Sequence, residues 1–157
     1  MHHPIHISVI GAGAAGAAEL EVARQVGAEI AAVGAVLVCG GLGGVMEGAC
    51  QGAREARGRT VGILPGSDPA AANPWTEVVV PTGMGHARNV LVVQSGEAVV
   101  ALPGAHGTRS ELALALKIGR PVVGLGAWQE VEGVVPAPNA AQAVATAVGL
   151  ARERRAW

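Results

Sequence analysis

A chain of 157 residues, half of them apolar, is long enough to bury a core within one domain, residues 1–157. A net charge of −1 and a charged fraction of 15% argue against the basic face of an electrostatic nucleic-acid binder. The apolar residues are mainly Ala, Val and Leu, with three Trp and neither Phe nor Tyr, so the core must be closely packed from small side chains.

The elements follow in chain order. Ile5–Ile10, rich in β-branched residues and ending on glycine, predicts a strand. Ala17–Val33 carries Leu20, Ala23, Val26 and Ile30 at helical spacing. Val36–Cys39 predicts a second strand, and Val45–Ala56 a second helix. Thr60–Leu64 predicts a third strand, closed by Pro65-Gly66. Ser67–Pro74, with Asp68, Asn73 and prolines, reads as a loop. Glu77–Val80 predicts a brief strand, His86–Gln94 a helix and Ala98–Leu102 a strand. Thr108–Ile118 predicts a helix stopped by Gly119, and Pro121–Leu125 a strand. Asn139–Arg155 predicts a closing helix with Asn139 as its N-cap. Strands alternating with helices predict an α/β chain: a Rossmann-like three-layer fold whose parallel sheet has six or seven strands.

Other features restrict the setting. The longest uncharged stretches, Ile30–Met46 and Gly133–Ala151, are broken by glycines in the first and by prolines and Asn139 in the second, so no membrane span is expected. No basic stretch precedes an apolar run at the N-terminus, and a cytoplasmic location is expected. Cys39 and Cys50 lack metal-ligand spacing and read as buried thiols. His2, His3 and His6 are not expected to hold a metal. Arg152, Arg154 and Arg155 suit the end of the closing helix, where cations interact favourably with its dipole.

Three glycine clusters fall at strand ends: Gly11-Ala12-Gly13-Ala14-Ala15-Gly16, Gly40-Gly41-Leu42-Gly43-Gly44 and Pro103-Gly104-Ala105-His106-Gly107-Thr108. In a parallel sheet these loops share one edge, where ligands bind. Glycine admits close backbone approach, and free amides at a helix start suit phosphate oxygens. The sites assigned to phosphate on this ground are Gly11, Gly13, Gly40, Gly41, Gly43, Gly44, Gly104, Gly107 and Thr108. A dinucleotide dehydrogenase would carry a carboxylate at the end of strand two. Val38-Cys39-Gly40-Gly41 has none, and no Walker-type GK[ST] occurs.

Gly40-Gly41-Leu42-Gly43-Gly44-Val45-Met46-Glu47-Gly48-Ala49, Thr82-Gly83-Met84-Gly85-His86-Ala87-Arg88-Asn89 and Pro103-Gly104-Ala105-His106-Gly107-Thr108-Arg109-Ser110-Glu111 resemble the LOG-like superfamily. Its members are often labelled "possible lysine decarboxylase". It includes nucleotide phosphoribohydrolases that activate cytokinins, with a PGGxGTxxE motif and an upstream arginine, and the molybdenum-cofactor carrier proteins. The resemblance runs from the first strand to the last helix. The second glycine of the motif is Ala105 here, whose methyl group weighs against the hydrolase. The Gly-Met-Gly-x-Ala-Arg-Asn wording is closer to the carrier branch.

Decarboxylation through pyridoxal phosphate needs a Schiff-base lysine. Lys117 is the sole lysine and sits at a predicted helix C-terminus, so that activity is rejected. Arg88, predicted to start a helix where a cation opposes the dipole, is assigned to gripping the ligand. Glu111 suits a first helical turn; the resemblance is what makes it a catalytic candidate beside Arg88. Thr108 suits either an N-cap or a phosphate ligand. Glu47 suits the start of its helix. His86, His106 and Met84 are placed at the binding edge, with His106 and Met84 among the ligand-binding candidates.

The resulting expectation is a binding or carrier protein for a phosphorylated, nucleotide-like small molecule. Bound nucleotide or molybdenum cofactor would be the ligand, with no other cofactor or metal required. The alternative is a phosphoribohydrolase that cuts the N-glycosidic bond of nucleoside 5′-monophosphates. Ala- and Val-rich helices with few charges predict a homodimer or homotetramer.

Overall fold

The computed structural model describes residues 2–156. Seven strands form one sheet: β1 (His6–Ile10), β2 (Val36–Cys39), β3 (Arg59–Leu64), β4 (Val78–Pro81), β5 (Ala98–Ala101), β6 (Val122–Leu125) and β7 (Val134–Ala137). Their order is β4-β3-β2-β1-β5-β6-β7, and every pairing is parallel. The chain steps outward from β1 to β4, then returns to the other side of β1 with β5. That reversal opens a crevice between β1 and β5 beyond the strand C-termini.

Strands β2, β5 and β6 are buried at every residue. A parallel strand covered on both faces must be apolar throughout, and Val-rich runs such as Val36–Cys39 meet that requirement. Helices α1 (Ala17–Ala32), α2 (Val45–Glu55) and α5 (Ala140–Arg155) cover one face; α3 (Asn89–Ser95) and α4 (His106–Lys117) cover the other. Asn139 caps α5, its Oδ1 accepting from the Gln142 amide at 2.9 Å. Cys39 and Cys50 are buried free thiols with their Sγ atoms 3.5 Å apart. Hydrogen bonding to Cys50, then burial, pushes the Cys39 thiol up. Among the described residues, no helix is long and apolar enough to cross a membrane.

The structure alters three readings. The seventh strand, Val134–Ala137, was not located from the sequence. It is a four-residue edge strand, Val134 buried and Val135 exposed, between glycine and proline. The helix expected over His86–Gln94 is a 3-10 turn at Gly85–Arg88 followed by α3. Helix α4 begins at His106, two residues ahead of Thr108, so Thr108 is not its N-cap.

Small residues bring α1 and α2 to backbone contact. A Cβ on Gly27 would lie 1.9 Å from the Ala49 carbonyl oxygen, and one on Gly52 would lie 1.9 Å from the Arg24 oxygen. Neither helix can yield without moving off the sheet. Gly27→Ala is expected to destabilise the fold by about 2 kcal/mol or more, although alanine favours helix, because overpacking outweighs propensity. Urea unfolding measures it; an unchanged midpoint would mean that the two helices do not pack in this way.

Candidate functional site

Three loops leave the adjacent strands β2, β1 and β5 and lead into α2, α1 and α4. None of these helices has a side-chain cap. Their first-turn amides therefore lack the partner that Asn139 supplies to α5, and such amides suit an anion. The loops are joined to one another. The Ala12 amide donates to the Pro103 oxygen at 2.9 Å, and the Val45 amide donates to the Ala12 oxygen at 2.9 Å. Gly44, at φ 64°, makes this approach feasible, since a Cβ there would lie 2.2 Å from the Ala12 oxygen.

A cleft of about 340 Å³ opens at this junction. Gly11, Ala12, Gly13 and Ala14 form one wall, and Ala105, Gly107, Thr108 and Glu111 the other; Met46, His86, Arg88 and Asn89 complete it. A larger cavity of about 510 Å³ lies near β6 and β7, lined by Gly124, Gly126, Gln129, Pro136, Ala137 and Pro138, with no charged side chain. Charge selects the smaller cleft as the candidate site.

Arg88 supplies that charge. It ends the 3-10 turn and is the N-cap of α3, the helix-start position expected for it, and it is buried there. Its Nε donates to the Ile63 oxygen at 3.0 Å, and its Nη1 donates to the Asn89 side-chain oxygen. Asn89 Nδ2 donates to Ser110 Oγ at 2.9 Å, and that hydroxyl donates to the Gly107 oxygen at 2.8 Å. This relay fixes the guanidinium and ties it to the first turn of α4. Nη2 lies against Gly40, where a Cβ would come within 2.7 Å. Among the described residues no carboxylate pairs with Arg88. A buried cation held only by neutral acceptors is electrostatically uncompensated.

Glu111 lies in the second turn of α4, beyond the first-turn position expected for it, so the dipole does not account for it. It is 8% exposed and lines the cleft. Burial pushes its carboxyl up to about 7, against the attraction of Arg88. The two side chains share the cleft without forming an ion pair.

The remaining candidates are distributed as follows. Gly11, Gly13, Gly107, Thr108 and His86 line the cleft. Gly40, Gly41, Gly43, Gly44 and Gly104 lie outside its wall in the loops that carry it; Gly104 packs on Thr108, where a Cβ would lie 2.0 Å from Oγ1. Met84 and His106 are exposed and do not line it. Glu47 stands in the first turn of α2. Ala12, Ala14, Met46 and Asn89 are cleft residues that the sequence reading did not single out. Asn89 carried a signal, being an amide adjacent to the selected arginine.

The SLOG cluster4 family model matches residues 4–152, and the chain belongs to that family. It stands in the LOG-like superfamily near the molybdenum-cofactor carrier branch. An uncharacterized protein of Archaeoglobus fulgidus is 42% identical over 130 residues, covering 83% of this chain and 85% of its own. The molybdenum cofactor binding protein of Rippkaea orientalis is similar in structure, with a TM-score of 0.91 and 35% identity over 96% of this chain and 99% of that one. The molybdenum cofactor carrier protein of Chlamydomonas reinhardtii gives a TM-score of 0.86 and 34% identity over 96% of this chain and 99% of that one.

The Glu111 carboxyl gives a pH dependence with a definite sign. An unfolded chain loses this proton near 4.5, whereas the folded chain holds it to about 7. Stability is therefore fully retained below the lower value and falls as pH rises through the interval. The loss should reach up to about 3 kcal/mol above the higher value. Urea unfolding of wild type and Glu111→Gln at both ends of the interval should show the variant gaining relative stability at high pH. Parallel pH profiles for the two proteins would refute the assignment.

Proposed function

We propose that this member of the SLOG cluster4 family is a binding and carrier protein for a phosphorylated, nucleotide-like small molecule, with molybdenum cofactor as its cargo. The uncompensated charge of Arg88 at an open cleft carries the reading. A bound phosphate would supply the missing negative charge, and amides of the Gly13 loop and of the uncapped first turn of α4 at Gly107 would take its remaining oxygens. The similarity to molybdenum-cofactor binding and carrier proteins supports the identity of the cargo. Ala105 lines the cleft, and its methyl group occupies room at the motif's second-glycine position.

Glu111 supports a second reading. A carboxyl near neutrality, facing Arg88 across the cleft, has the protonation behaviour of a general acid or base. That is what cleavage of a nucleoside 5′-monophosphate would use, with the carboxylate form stabilising an oxocarbenium-like ribose.

Calorimetric titration with molybdenum cofactor and a panel of nucleoside monophosphates, alongside an assay of base release, separates the two. A carrier should bind without releasing base. Arg88→Ala should then weaken binding about tenfold or more, the loss of a charge-assisted contact, while Glu111→Gln binds nearly as well. Base release that Glu111→Gln abolishes, with binding intact, would establish the hydrolase instead.

We also propose self-association. Val78 and Val80 on edge strand β4, and Met84 beyond it, are 41%, 42% and 48% exposed. Such a strip suits burial against another copy of the chain. Light scattering should give a dimer or tetramer at micromolar protein, and a monomer would refute it.

A further inference from the structure

We propose that Asn73 is a positioning residue of the anion site: it fixes two peptide groups of the Gly40–Gly44 loop so that the amides of Leu42 and Gly43 face the ligand's phosphate. The inference rests on the reading of the cleft as a phosphate site. Asn73 lies between β3 and β4, is 8% exposed, and sits outside every glycine-rich motif. Its backbone amide donates to the Gly41 oxygen at 2.9 Å, and its Nδ2 donates to the Leu42 oxygen at 3.0 Å. Its Oδ1 accepts from the Trp75 amide at 3.0 Å, which fixes the side-chain orientation. One residue thus holds two successive carbonyls of the loop after β2.

In a trans peptide the carbonyl and the following N–H point in opposite directions. With the Gly41 and Leu42 oxygens turned to Asn73, the Leu42 and Gly43 amides point away from it. Gly41 at φ 77° lets the backbone turn so that successive amides converge, as in anion-binding nests. The loop borders the cleft through Gly13 and Arg88, which line it. A Cβ on Gly43 would lie 3.4 Å from the Gly13 oxygen, and one on Gly40 would meet Arg88. Independently of the loop, Glu111 points to a ligand at this place: it is more than nine-tenths buried, lines the cleft, and makes no hydrogen bond among the described residues.

The test is an amide NMR titration of the ¹⁵N-labelled full chain with inorganic phosphate. In wild type the Leu42 and Gly43 amides should shift together with those of Gly13 and Gly107. Asn73→Ala keeps the backbone bond to the Gly41 oxygen and loses the Nδ2 bond to the Leu42 oxygen, so the Gly43 response should collapse and phosphate affinity should fall about tenfold, while Gly13 and Gly107 still respond and the spectrum stays folded. A purely structural role would lower stability without singling out that amide. The proposal is overturned if Asn73→Ala binds phosphate as wild type does. It is also overturned if the wild-type Leu42 and Gly43 amides stay still while Gly13 and Gly107 shift, an outcome that leaves the carrier reading intact. If no cleft amide responds in wild type, the phosphate site itself fails and takes this proposal with it. Should Asn73→Ala not fold, the wild-type titration decides.

Discussion

A guanidinium taken out of water without a counter-charge is the constraint around which this site is arranged. The burial of a guanidinium such as that of Arg88 must be offset by dipoles or by an anion. The Ile63 carbonyl and the Asn89 amide oxygen supply part of that offset and also remove the side chain's freedom. What remains is a fixed positive edge facing the space between two uncapped helix starts. A fully ionised carboxylate within reach would neutralise it, but burial pushes the Glu111 carboxyl up to about 7, so it is only partly ionised near neutrality. Arg88 and Glu111 form no ion pair, and the guanidinium edge in the cleft stays without a carboxylate partner among the described residues.

The sheet gives that arrangement its position. Reversal of strand order between β1 and β5 leaves the loops at their C-terminal ends diverging to opposite faces. The molecule limits the divergence by hydrogen-bonding the loops through Ala12, Pro103 and Val45. Such approach is possible only where side chains are missing, and the same economy recurs between α1 and α2 at Gly27 and Gly52. A composition without Phe or Tyr is therefore not merely a source of small core contacts. It is what lets backbones meet, both in the core and at the ligand edge.

Much of this was legible in the sequence. Val-rich runs ending in glycine marked the buried strands, since a parallel strand needs apolar residues on both faces. The edge strand β7 escaped because Val134–Ala137 is short, half exposed and contains a proline. The start of α4 was misjudged because Thr108 has cap chemistry, whereas the structure uses it inside the helix, packed on Gly104. Arg88 and Glu111 were selected; Arg88 does stand at a helix start, whereas Glu111 falls in the second turn of α4 and not in the first. Burial and electrostatic coupling arise from tertiary packing and leave little trace in spacing. Asn73 stayed hidden for the same reason: its partners are backbone atoms of Gly41, Leu42 and Trp75, and the sequence gives no sign of where those will lie.

The belt of hydrogen bonds joining the three loops has a kinetic consequence. A mouth stitched at Ala12 to Pro103 on one side and to Val45 on the other has no hinge at this seam with which to close over its contents. For the proposed ligand, entry and exit would then not be gated by loop motion there, and dwell time would be governed by the contacts broken on leaving. Handover from such a mouth would be a contest of affinities between donor and recipient, not a triggered release. Residence is thereby tuned by small changes in the wall of the cleft, with the frame around it left as it stands.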